Sequence, residues 1–71
     1  MSDRERELFE LRVIAVSTHT ALAKPHSETS GAAIVDRADE LLARLEAQVI
    51  RDGGDESVLA AIEHERIRIH N

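Results

Sequence analysis

The stretch Val16–Gly31, VSTHTALAKPHSETSG, decides how this chain is laid out. It holds the only lysine, the only proline, two of the four histidines, and six of the eight Ser and Thr residues. Pro25 lacks an N–H and disfavours helical geometry in the residue before it. A helix arriving from the N-terminal side therefore ends near Lys24. Ser27, Thr29 or Ser30 can cap the next helix. Gly31 places that start near or after Ser30, because glycine weakens a helix interior by about 1 kcal/mol. The stretch reads as the corner of a hairpin. Just before the corner, Ser17-Thr18-His19-Thr20 reads as a polar layer that sets register in an otherwise apolar interface.

Upstream of the corner, Ser2 and Glu5 have the S-x-x-E form of a capping box. A helix from about Asp3 to Ala23 follows. At 3.6 residues per turn, Leu8, Leu11, Ile14, Ala15, Thr18 and Leu22 share one face. Phe9, Val13, Val16 and Thr20 lie near the opposite face. A lone surface helix needs only one apolar stripe. Two stripes imply a helix with its own hairpin on one side and another chain on the other.

Downstream, the second helix runs to about Arg51. Ile34, Val35, Ala38, Leu41, Leu42, Leu45 and Val49 form one wide stripe, and Asp36, Arg37, Glu40, Ala43, Arg44, Ala47 and Arg51 face away. Glu40 and Arg44 stand at i,i+4 in the favourable order. Gly53 is placed as a C-terminal cap and Gly54 extends the turn. Asp55 or Ser57 can cap a third, shorter helix, in which Val58, Leu59, Ile62 and Ile69 share one side. The tail ERIRIHN alternates polar and apolar, which leaves Arg66–His70 open between helix and extended chain.

The fold class expected is therefore all-α, a single small domain over residues 1–71. Its parts are an antiparallel helical hairpin and a shorter C-terminal helix. The hairpin core is assigned to Leu8, Leu11, Leu22, Leu41, Leu42 and Leu45. Below about 70–80 residues a single core rarely supplies more than about 3–5 kcal/mol. There is no cysteine, and Phe9 is the only aromatic residue. Disulfides are excluded, so the expected staple is a second chain: a homodimer forming a helical bundle, a larger protein partner, or both.

No apolar run approaches the roughly 18 residues of a membrane span. The N-terminus MSDRERELFE is charged and mixed in sign, unlike a signal peptide. The expectation is a soluble, cytoplasmic chain. The net charge is −5, and Asp36–Glu56 holds seven acids against three arginines. That is no footprint for phosphates, so direct nucleic-acid binding is not expected.

No H-E-x-x-H, G-x-S-x-G, glycine-rich phosphate loop or cysteine nucleophile is present, so no catalytic residue is named. His64 and His70 are six apart, and His19 and His26 seven apart across a helix end. Neither spacing is the i,i+3 or i,i+4 of a helical metal pair, and neither metal ligand nor cofactor is assigned. His19 near a bundle end suits a phosphoacceptor, but Lys24 and Pro25 do not stand at the offsets of the phosphorelay patterns.

The function expected is a non-enzymatic protein–protein interaction module, a small accessory subunit or regulator. Phe9, Val13, Val16 and Thr20 would make the contact, with a partner groove or a second copy. One alternative is an acidic inhibitor of the antitoxin, immunity or anti-CRISPR kind, acting on a basic nucleic-acid-processing protein. It would use Asp36, Asp39, Glu40, Glu46, Asp52, Asp55 and Glu56. A second is an oligomeric histidine–carboxylate bundle for metal binding or phosphotransfer.

Overall fold

Ser2 sits in extended conformation, and its hydroxyl accepts a hydrogen bond from the Glu5 N–H at 3.2 Å. That cap opens α1, Asp3–Ala23. Lys24 then turns extended, at ψ 146°, as a residue preceding proline must. The computed structural model describes residues 2–24 and 31–70. His26 and the expected caps Ser27, Thr29 and Ser30 lie outside them. α2 spans Gly31–Arg51 and α3 spans Glu56–Ile69. Among the described residues there is no strand.

α2 ends through backbone geometry. Gly53 at φ +125° and Gly54 at φ +71° reverse the chain. The Gly54 N–H donates to the Val49 carbonyl at 2.9 Å and the Gly53 N–H to the Ile50 carbonyl at 3.2 Å, which satisfies carbonyls that the helix leaves free. One residue later, the Asp55 carboxylate accepts from the Ser57 and Val58 N–H groups and opens α3. The ambiguous tail is helical through Ile69. An extended tail would put Ile67 and Ile69 on one side. The helix instead adds Ile69 to the buried stripe of Val58 and Ile62 and leaves Ile67 in solvent.

α3 packs against both arms of the hairpin, so α1 touches α2 and α3. The core is Leu11 from α1, Ala38, Leu42, Leu45 and Val49 from α2, and Val58, Ile62 and Ile69 from α3. Leu22 and Leu41 are half-buried. Leu8 departs from the expectation: it is 40% exposed and is not a core residue. α1 turns its Glu7 edge inward instead, and the buried line runs Glu7, Leu11, Thr18 at helical spacing. Glu7 is 2% exposed. The shift follows from α3: α1 meets two helices, and its inward direction is set by both rather than by its own most apolar face. Among the described residues, no helix is long and apolar enough to cross a membrane.

Candidate interaction surface

The apolar residues of α1 lie on both sides of the helix, whereas those of α2 gather on one, with Ile50 the large exception at 58% exposure. The inner line faces the core. The outer line, Phe9, Val13 and Val16, is 60%, 48% and 59% exposed, and Thr20 is exposed beside it. Phe9 and Val13 border a groove of about 720 Å³ whose walls come from α1 and α2 alone. Ile14, Leu41 and Leu45 contribute its apolar floor, and Arg6, Glu10, Arg44 and Gln48 its polar rim. Beyond Ile14 and Leu41 it continues into a smaller depression of about 250 Å³ between Ala21 and Ile34, bordered by Ser17 and Arg37. Three helices thus surround a core that is closed by α3 on one side and grooved on the other.

The rim contains a signal that sequence reasoning passed over. Arg37, Arg44 and Arg51 recur every seven residues along α2, which keeps them on one edge of the helix. Arg37 and Arg44 line the groove, and Arg51 donates to the rim residue Gln48 at 3.1 Å. By periodicity alone they belong to the outward face of α2, opposite its wide apolar stripe. Only the open groove shows that this edge borders apolar surface.

The acidic band is largely occupied by the protein itself. Asp39 Oδ2 lies 2.8 Å from His70 Nε2. Glu40 receives Arg37 at 3.3 Å and Glu46 receives Arg66 at 3.4 Å. Asp52 accepts from Arg6 at 2.9 Å, and Asp55 accepts from Arg4 at 2.6 Å besides capping α3. The Arg4 guanidinium, aided by the Val58 and Ser57 N–H groups, holds the Asp55 carboxyl below its ordinary value of 3.8. Among the seven candidates only Asp36 and Glu56 are exposed without such a partner.

The polar layer holds one bond within its own helix and one contact across helices. The Thr18 hydroxyl is buried and donates to the Ile14 carbonyl of its own helix at 2.7 Å, so it makes no choice between neighbours. The contact across helices is His19 Nε2 with Glu65 Oε1 of α3 at 3.2 Å. Arg68 joins the same carboxylate at 3.7 Å. His64 is exposed. No group of three or more His, Cys, Asp or Glu side chains able to hold a metal forms among the described residues. Glu7 is the buried side chain left with an unpartnered polar atom among the described residues. Burial, a hydrogen bond to Asp52 and the charge of Asp52 all raise its carboxyl above the ordinary value of 4.5, and its Oε2 has no partner.

Comparison with protein-family models, curated proteins and solved structures finds no match.

Proposed function

We propose that the chain is a non-enzymatic protein–protein interaction module, a small accessory subunit or regulator, whose contact surface is the grooved face of α1 and α2. The observation that carries this reading is the groove itself, with Phe9 and Val13 standing exposed on its edge. Bare aromatic and branched side chains beside an apolar trough between two helices are what a helix-in-groove contact requires. The reading of an acidic inhibitor draws less support, because five of its seven carboxylates are engaged within the chain. A photo-crosslinking residue placed at Phe9, and separately at Arg12 as a control on α1 away from the groove lining, tests the proposal in cells. The expected result is a discrete polypeptide adduct from Phe9 and none from Arg12. No adduct from Phe9, or equal adducts from both, overturns it.

A further inference from the structure

The rim of the groove carries both signs on opposite walls. Glu10 projects from α1 and Arg44 from α2. Neither has an ion-pair partner among the described residues. The knobs and the trough also lie on the same side of the hairpin: Phe9 and Val13 border the hollow that they would need to fill. A patch that holds its own complement side by side is suited to a two-fold contact, in which each copy's protrusion enters the other's recess.

From this juxtaposition we infer that the occupant of the groove is a second copy of this chain, with α1 of each copy seated antiparallel in the groove of the other and Glu10 of each copy paired with Arg44 of the other. A two-fold axis at the level of Leu11 sets Phe9 of one copy against Val13 of the other, since the two residues flank Leu11 equally. Glu10 enters that contact on the same flank of α1, one residue from Phe9. The molecule is elongated, 41 × 20 × 16 Å, so two copies can lie side by side along its length. The inference rests on the reading of this face as the contact surface and names what covers it.

Light scattering on the full chain across a concentration series tests it, with Glu10→Arg, Arg44→Glu and the double variant Glu10→Arg/Arg44→Glu beside the parent. Both positions are exposed, and circular dichroism verifies that each variant keeps its helices. The parent is expected at twice 7.9 kDa. Each single reversal should weaken the dimer about tenfold or more, through like charges placed together, and the double variant should recover most of that loss. A parent at the monomer mass overturns the inference. So does a dimer indifferent to both reversals, or one that the double variant does not restore. A monomer whose Phe9 crosslinks to a different protein overturns the second copy and leaves the contact surface standing. A monomer with no adduct removes both.

Discussion

Glu7 is where local chemistry and packing disagree most. Its carboxyl is enclosed by the α1 start and the α2 end, beside Asp52, and burial there favours the neutral form. A carboxyl with a raised folded value adds stability that is complete below its ordinary 4.5 and is lost as pH climbs through the raised value. Asp55 runs the other way: its contribution is complete above 3.8 and is lost as pH falls through its lowered value. Stability should therefore be greatest in mildly acidic solution. Glu7→Gln keeps a donor for Asp52 and removes the charge, so it should abolish the decline toward neutral pH. Thermal midpoints from about pH 4 to pH 8 measure this. A variant that declines as steeply as the parent would show that Glu7 is not the group responsible.

At the scale of the element, the helices are set by signals a few residues long. The S-x-x-E cap, the pre-proline Lys24, the paired glycines and the Asp55 cap all act within one turn, and all stand where periodicity places them. The α2–α3 turn shows why two glycines are needed. Neither has atoms near its missing Cβ, so only the backbone angles matter. Gly54 at φ +71° is close to the left-handed region that other residues enter at about 1–2 kcal/mol. Gly53 at φ +125° is outside it. Gly53→Ala should therefore lower stability more than Gly54→Ala, as read by urea unfolding. Equal losses would mean that the turn relaxes to another shape. The tail could not be assigned locally, because ERIRIHN fits either period. Contact of Ile69 with the core settled it.

At the scale of the whole molecule, α3 is the member that organises the rest. It supplies Val58, Ile62 and Ile69 to the core and meets both arms of the hairpin. Its polar ties to the hairpin, such as Arg66 with Glu46 and His70 with Asp39, are solvent-accessible, and such pairs add about 0–1 kcal/mol each. Apolar burial must do most of the work. Ile62→Ala, at 0% exposure, should cost about 2–5 kcal/mol, comparable with all the stability that a chain of this size holds. Ile67→Ala on the outer face should change it by no more than about 0.5 kcal/mol. Urea titrations of the two variants compare them directly, and a similar loss at both sites would place the core elsewhere.

The sequence by itself determined three helices, the end of α1, the α2–α3 turn and the main buried stripe of α2, because caps, turns and periodicity are short-range properties. It also marked Phe9, Val13 and Val16 as a second apolar line on α1. Tertiary structure decided what lies more than a few turns away. It chose Glu7 over Leu8 for the inner edge of α1, since two neighbours rather than one fix that helix's rotation. It paired four carboxylates of the acidic band with three arginines and one histidine at sequence separations of 20 to 51 residues, which no local pattern encodes. It placed α3 on one side of the hairpin and so left the other side grooved. The arginines at every seventh residue of α2 were visible from the start; that they border apolar surface follows only from where the third helix packs.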